Sequence, residues 1–347
     1  MGTEEGGLAR FDPAAVEGAN PWTVFGPEDG WLGSPVRALG TGRRQAVWVA
    51  TDEGLFQLEG TAWTAYRTAD GLAGNEVSSF LIEAGGEDLW VGTRYGTQSL
   101  ELDSVTGFDA GDGLDSGVVQ QIVSTNDGNA WFLIKDGEER RLSRFDGRQF
   151  DKLSTTDGLA GNEPSALFVD TDGTLLVADS NAPIAGSLAE GGGGGRPRFE
   201  VLEDSTPASA LVRSGDGELW VGEDRGVRLV DDRNPAEHAQ VEGVTKARAG
   251  PDGVLWFAGA EDVHRMEGGL ITSFGVEAGL PVGELSAMEP LSGGSLLVVA
   301  GGKGAKLEGE RFRPWPTSNP RLRQSVLHDL ARDERGVTWL CLLYTSD

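Results

Sequence analysis

Short runs in which apolar and polar residues alternate recur along the whole chain, with turn residues between them. Three of these runs are EVSSFLIEAGGED at 76–88, VVQQIVSTNDGN at 118–129 and ALFVDTDGT at 166–174. Alternation with a period of two predicts β-strands of about five residues, and the turns NDGN, DTDG and GDGE favour tight hairpins. No stretch shows sustained helical periodicity. The pattern therefore predicts an all-β chain of short antiparallel strands.

One apolar pattern, here called the anchor, repeats at a nearly constant spacing. Copies include VWVATDEG at 47–54, LWVGTRYG at 89–96 and LWVGEDRG at 219–226. The second residue of each copy is Trp48, Trp90, Trp131, Leu176, Trp220, Trp256, Leu297 or Trp339. Successive members lie 36 to 45 residues apart. A four-stranded sheet repeated every ~40–50 residues is typical of a β-propeller blade.

We therefore predict a β-propeller of seven to eight four-stranded antiparallel blades over residues 1–340, or part of a longer array. The predicted units are 1–30 (partial), 31–71, 72–113, 114–158, 159–204, 205–242, 243–279, 280–319 and 320–340 (partial). Both ends fall inside a repeat, so we expect an array truncated at both ends. Residues 341–347 (CLLYTSD) depart from the repeat and look like a translated sequencing adapter, and we interpret them as a non-native tail.

The loops between units carry a second motif. Its copies are DGLAGNEV at 70–77, DGLAGNEP at 157–164, and the weaker DGLDSGVV at 112–119 and AGLPVGEL at 278–285. Loop, anchor and period together make residues 1–340 resemble the two-component regulator propeller family. Its repeat reads roughly D-G-L-x-x-N-x-V, then L-W-x-G-T-x-x-G-L. The DGL loop is missing before the unit at 243–279.

The resemblance implies a sensory role in the periplasm or outside the cell. In this family such propellers are followed by a further β-domain, a transmembrane helix and a histidine kinase or other output domain. None of these is present in this sequence. We therefore expect a non-catalytic, ligand-sensing fragment of a bacterial signal-transduction receptor, with dimerisation, if any, through the missing parts.

Candidate ligand-binding residues lie in the loops and turns that share one face of the propeller. This holds if the run before each anchor is the innermost strand of its blade, since the DGL loops and the T-x-x-G turns then meet at one end of the axis. The candidates are Asn75, Glu76, Arg94, Tyr95, Asp115, Asn162, Glu163, Asp224 and Arg225. Such side chains suit a small molecule, a carbohydrate or a protein ligand, through hydrogen bonds and ring stacking. Asp, Gly and Asn are also common turn formers, which is the competing structural interpretation.

Charge and composition narrow the range of partners. The chain has 29 Lys and Arg against 55 Asp and Glu, a net charge of −26, which argues against nucleic acid or an anionic membrane as partner. The single cysteine, Cys341, excludes an intrachain disulfide, and three scattered histidines argue against a histidine-cluster metal site. The sequence contains no run of 18 apolar residues, so it predicts no membrane-spanning segment. We predict no catalytic residues, metal ligands or cofactors.

Two other functions remain open at this point. One is a propeller lyase or hydrolase with an axial active site, which requires histidines and acids that converge at the mouth. The other is a secreted scaffold that binds proteins over a broad face. His264 is interpreted as a surface histidine of a strand rather than a catalytic base. Six of the ten tryptophans lie at anchors and are predicted core, which leaves Trp22, Trp31, Trp63 and Trp315 for a carbohydrate platform.

Overall fold

The protein is described by a computed structural model over most of the chain. The described residues are 5–14, 20–26, 29, 34–42, 46–83, 89–101, 104–170, 173–179, 184–187, 196–202, 208–223, 226–230, 241, 243–315, 325–332 and 336–344. In these ranges the regular elements are β-strands and single-turn 3₁₀ helices.

The strands follow one another along the chain as successive blades. The first two are β1 (Glu5–Phe11) and β2 (Trp22–Phe25). Blade 1 contains β3 (Val36–Thr41), β4 (Val47–Thr51), β5 (Gly54–Glu59) and β6 (Ala62–Tyr66). Blade 2 contains β7 (Val77–Ile82), β8 (Leu89–Thr93), β9 (Gly96–Glu101) and β10 (Ser104–Phe108). Blade 3 contains β11 (Val118–Ser124), β12 (Ala130–Asp136), β13 (Glu139–Phe145) and β14 (Phe150–Leu153). Blade 4 contains β15 (Pro164–Val169), β16 (Leu175–Asp179), β17 (Ala185–Ser187) and β18 (Phe199–Val201).

The second half of the chain continues in the same way. Blade 5 contains β19 (Ala210–Arg213), β20 (Leu219–Glu223) and β21 (Gly226–Leu229) among the described residues. Blade 6 contains β22 (Lys246–Ala249), β23 (Leu255–Ala258), β24 (Val263–Glu267) and β25 (Leu270–Phe274). Blade 7 contains β26 (Leu285–Leu291), β27 (Ser295–Ala300), β28 (Lys303–Glu308) and β29 (Arg311–Pro314). The last two strands are β30 (Ser325–Arg332) and β31 (Thr338–Tyr344).

Blade 8 combines strands from both ends of the sequence. Its order is β2-β1-β31-β30, and β1 pairs antiparallel with β31, with Leu8 opposite Cys341. The pairing closes the ring and leaves eight blades, which confirms the predicted propeller. The interpretation of residues 341–347 as a non-native tail stays a prediction: β31 extends to Tyr344, and 345–347 lie outside the described residues.

The first strand of each blade lies next to the axis. First strands of neighbouring blades contact one another, as β3 does with β7 and β30, and β26 with β22 and β30. The order within each sheet then places the anchor strand second and the remaining strands outside it. The turns between second and third strands therefore lie at the same end of the ring as the loops between blades, and we call this end the upper face.

Anchor residues fill the gaps between blades, as their pattern predicts. Trp90 is 5% exposed and packs edge-on against Phe132 of the next blade, with ring centroids 5.3 Å apart. Two residues further on, a Cβ on Gly92 would lie 2.7 Å from the Cβ of Val119 in that blade. The large residue thus fills the gap where the sheets diverge, and glycine is needed where they approach closely.

The leucine of each DGL loop fills the space between two neighbouring blades. Each forms a 3₁₀ turn, and in the first three the Asp side chain accepts from a backbone N–H three residues earlier, as Asp112 does from Asp109 (2.9 Å). The following glycine has a positive φ, 103° at Gly113. The leucine is then buried between two blades, as shown by Leu72, Leu114, Leu159 and Leu280, all at most 6% exposed. In the AGL copy, Glu277 replaces the missing Asp and accepts from the N–H of Gly275 (3.1 Å).

Candidate functional site

An open cleft of about 520 Å³ lies on the upper face, where blades 1, 2 and 3 meet near the axis. We call it the mouth cleft. Its lining residues are Arg37, Asp52, Glu76, Val77, Ser78, Arg94, Val118 and Gln120. Each comes from the start of an inner strand, from the loop before it, or from the turn after an anchor. These are the segments that the propeller topology brings to one mouth of the axis.

Two arginine–carboxylate pairs dominate the cleft. Arg37 donates from Nε and Nη2 to the two carboxylate oxygens of Asp52, both at 2.7 Å. Arg94 Nη1 lies 3.6 Å from Glu76 Oε2. The arginine side chains are 51% and 54% exposed, so each pair is worth about 0–1 kcal/mol in water. A ligand with its own charged or hydroxyl groups can exchange for these contacts at little cost.

β-Bulges direct side chains into this cleft. The pairing register shifts between Val36 and Ala38, between Val77 and Ser79, and between Val119 and Gln121. The residues between, Arg37, Ser78 and Gln120, all line the cleft. A bulge breaks the strict alternation of a strand and turns an extra side chain toward the rim, which is why bulges are frequent next to binding sites.

Hydrogen bonds between inner strands hold the mouth in shape. Ser78 Oγ donates to the carbonyl oxygen of Val119 in the next blade (2.7 Å), and Ser165 Oγ donates in the same way to that of Ala208 (3.1 Å). Gln121 donates to the carbonyl of Leu167 (2.8 Å) and accepts from its N–H (2.9 Å). The Ser78 contact joins blades 2 and 3 of the cleft, and the other contacts continue the linkage to blades 4 and 5.

Two predicted site residues line the mouth cleft, and a third lies beside them. Glu76 and Arg94 belong to the lining. Tyr95 is 61% exposed, and the guanidinium carbon of Arg94 lies 5.7 Å from its ring centroid. An exposed aromatic ring next to charged groups provides a stacking surface.

Other predicted residues have structural contacts. Asn75 Oδ1 accepts from the N–H of Thr68 (2.8 Å) and so holds its own loop. Asp115 is 8% exposed, accepts from Ser143 Oγ (2.8 Å) and lies 3.3 Å from Lys152 Nζ. Asn75 and Asp115 thus contribute to the loops behind the surface.

Asn162 and Glu163 do not belong to the lining of the mouth cleft. Asn162 and Glu163 are exposed, on the loop before β15, and the N–H of Glu163 donates to Asp179 Oδ2 (2.9 Å). Asp224 and Arg225 lie outside the described residues.

Sequence reasoning missed Arg37, Asp52, Ser78 and Gln120. It concentrated on the DGL loops, while three of these side chains come from the first residues of inner strands. The available signal was the polar residue that follows the first valine, as in Val36-Arg37 and Val77-Ser78. Alternation alone assigns such residues to one side of a strand, and the bulge that redirects them is decided by pairing with the neighbouring strand.

Two interpretations of aromatic and histidine residues need correction. Trp22, a candidate for a carbohydrate platform, is 6% exposed and packs against Phe11 and Trp315, with centroids 4.8 and 5.0 Å away. His264 is not on the strand surface, because it is 2% exposed.

A charged group also lies on the inner strands away from the cleft. Glu289 on β26 interacts electrostatically with Arg332 on β30 and with Arg248 on β22. Burial raises the pKa of Glu289, and the two arginines oppose this rise only in part. Glu289 thus differs from the exposed arginine–carboxylate pairs of blades 1 and 2, because it is partly buried.

Among the described residues, no group of three or more His, Cys, Asp or Glu side chains is placed to hold a metal ion. In that part of the chain, no helix has the length and apolar character needed to cross a membrane.

Comparisons with known proteins bear on the fold. No protein-family model and no curated protein sequence matches the chain. Among solved structures, virginiamycin B lyase from Staphylococcus aureus is similar at 13% identity with a TM-score of 0.51, over 98% of this chain and 100% of that one. YCF48 bound to D1 peptide is similar at 11% identity with a TM-score of 0.51, over 90% and 94%.

A third similar structure is an extracellular domain. The extracellular domain of the putative one component system BT4673 from B. thetaiotaomicron is similar at 13% identity with a TM-score of 0.49. The match covers 94% of this chain, which spans 56% of the length of that domain. At identities of 11–13%, the similarity to virginiamycin B lyase and YCF48 supports the fold of this chain and nothing beyond it.

Proposed function

We propose that this propeller is the ligand-sensing region of a bacterial signal-transduction receptor and that it binds its ligand in the mouth cleft. The observation that carries the proposal is the pair of exposed arginine–carboxylate contacts, Arg37–Asp52 and Arg94–Glu76, in one cleft across neighbouring blades. The resemblance of the DGL loops and anchors to the two-component regulator propeller repeat supports the receptor role. A location in the periplasm or outside the cell belongs to the same proposal.

The chemistry of the cleft favours binding over catalysis. Its described lining holds two arginines and two carboxylates, paired with each other, and two neutral polar side chains, Ser78 and Gln120. A hydrolase or lyase at the axis needs one side chain that is protonated and acts as the acid, and another that is deprotonated and acts as the base. The lining suits a ligand with several hydroxyl, amide or carboxylate groups, such as an oligosaccharide or a peptide. A peptide-bound propeller, YCF48, shows that this fold accommodates a peptide.

Binding in the cleft would be read out through the blades. The inner strands of blades 2, 3 and 4 are linked by hydrogen bonds from Ser78 in blade 2 and Gln121 in blade 3 to the next blade. A ligand that contacts both blade 1 and blade 2 stabilises one arrangement of these two blades relative to others. The output is then made by a partner or a further domain packed against the propeller.

The test is a thermal-shift screen of defined oligosaccharides and peptides, followed by calorimetry of each hit on variants. Arg94→Ala and Arg37→Ala are expected to weaken binding about tenfold or more, since a charge-assisted hydrogen bond contributes about 1.5–3 kcal/mol. Arg313→Ala is the matched control, because Arg313 forms a similar exposed contact with Glu308 (3.3 Å), away from the mouth cleft. A screen without hits, or hits that bind equally to Arg94→Ala and Arg37→Ala, would contradict the proposal.

A further inference from the structure

The outer half of blade 6 brings together a serine, a histidine and an aspartate. His264 on β24 lies directly opposite Ser273 on β25 in the pairing register. Its Nδ1 is 2.9 Å from Ser273 Oγ, and its Nε2 is 2.9 Å from Asp262 Oδ1. Nucleophile, base and orienting acid are thus linked in sequence at hydrogen-bond distance.

The partners fix where the histidine proton lies. A carboxylate only accepts hydrogen bonds, so Nε2 carries the proton and donates to Asp262. Burial lowers the pKa of His264, and this lowering favours the neutral ring. The Asp262 charge acts in the opposite direction and offsets only part of the effect of burial. The bare Nδ1 then accepts from Ser273 Oγ. This is the protonation state in which a histidine acts as general base on a serine hydroxyl.

Access to the serine differs from access to the histidine. His264 is 2% exposed, whereas Ser273 is exposed. β25 is the outermost strand of its sheet, so backbone amides along its outer edge lie outside the ladder and can donate to a developing oxyanion. Val276, just after β25, is 53% exposed and offers an apolar surface to the rest of a substrate.

We propose that Ser273 is an activated nucleophile that accepts the acyl group of small carboxylic esters. Ser273 Oγ attacks the carbonyl carbon while its proton moves to His264 Nδ1. The ester C–O bond then breaks, and the alcohol leaves with that proton. A water molecule then attacks the acyl carbon while His264 takes its proton. The bond to Ser273 Oγ breaks, Oγ regains the proton and the carboxylic acid leaves. Asp262 is the positioning residue, since it holds the ring and its tautomer. The site lies on blade 6 and is independent of the mouth cleft.

The test uses the full chain and a fluorophosphonate probe, with p-nitrophenyl acetate as the ester. With the probe, the Oγ–P bond forms, the P–F bond breaks and fluoride leaves, which marks the serine permanently. Peptide mass mapping is expected to find Ser273 labelled about 100-fold faster than Ser116, in line with general-base catalysis. Ser116 is the matched control, because it is exposed and donates to a carboxylate, Asp136 (3.2 Å), with no histidine in that contact.

Variants separate activation from a merely structural contact. Ser273→Ala is expected to abolish both the label at this strand and the release of nitrophenolate, whereas Ser116→Ala leaves both unchanged. In the parent chain the labelling rate rises with pH, and its midpoint lies below the ordinary histidine pKa of about 6.5, because burial lowers the pKa of His264. Asp262→Asn is expected to slow labelling at least tenfold and to move the midpoint to lower pH, because the lost charge no longer supports the imidazolium.

The proposal is overturned if Ser273 and Ser116 are labelled at equal rates in the folded protein. It is also overturned if Asp262→Asn lowers the unfolding temperature but leaves the rate and midpoint of labelling unchanged. In that case the three residues only hold the turn between β23 and β24.

Discussion

Leu114 tests whether the DGL loops hold the propeller together. It is 1% exposed and lies in a cluster with Trp90, Val119 and Phe132, between blades 2 and 3. Leu114→Ala removes three carbon atoms, which at about 0.8 kcal/mol each is about 2.4 kcal/mol of lost transfer free energy. The cavity left between two rigid sheets adds to this, so we expect a loss of about 3 kcal/mol.

Urea unfolding followed by tryptophan fluorescence measures this loss. The midpoint is expected to fall with the slope unchanged, and the thermal midpoint to fall by about 4 °C for a chain of this length. Leu270→Ala is the matched control, since Leu270 is 77% exposed and the same truncation there is expected to change stability by less than about 0.5 kcal/mol. If Leu114→Ala lowers the free energy of unfolding by less than about 1 kcal/mol, or by no more than Leu270→Ala does, the loop leucine does not stabilise the contact between blades.

Two further predictions concern the same loops. Gly158 has φ +99° and a Cβ there would overlap the carbonyl oxygen of Phe199, whereas Gly128 has φ +83° and nothing within 4 Å of such a Cβ. We expect Gly158→Ala to cost at least twice the ~1 kcal/mol of Gly128→Ala, and equal losses in urea unfolding would show that the close approach is unimportant. The guanidinium of Arg196 beside Asp157 holds the pKa of that carboxyl below its usual value. This contribution to stability is present above the unfolded-state pKa of about 3.9 and is lost as the pH falls through the lower folded-state pKa. Asp157→Asn is therefore expected to flatten the fall in unfolding free energy between pH 5 and 2, and a curve parallel to that of the parent chain would count against the pair.

The candidate site was predictable only in part. Glu76 and Arg94 were found because they lie in motifs that recur with the blade period. Arg37 and Gln120 were not, since the bulges that turn them into the mouth depend on pairing between strands. Asp115 differs from these residues: it belongs to the predicted face by sequence position, but it is 8% exposed and accepts a hydrogen bond from Ser143 Oγ.

The sequence by itself determined the fold class and the repeat. A period near 42 residues, Trp or Leu at each anchor and Gly or Asp in the turns are local features, and each is visible without knowledge of distant contacts. The tertiary structure alone decided three other matters: the pairing of β1 with β31 that closes the ring, the cleft between the two arginine–carboxylate pairs, and the burial of His264 between Ser273 and Asp262. All three depend on which residues of different strands and turns come to lie side by side. That choice is made by strand register and blade packing, which the pattern along a single strand does not encode.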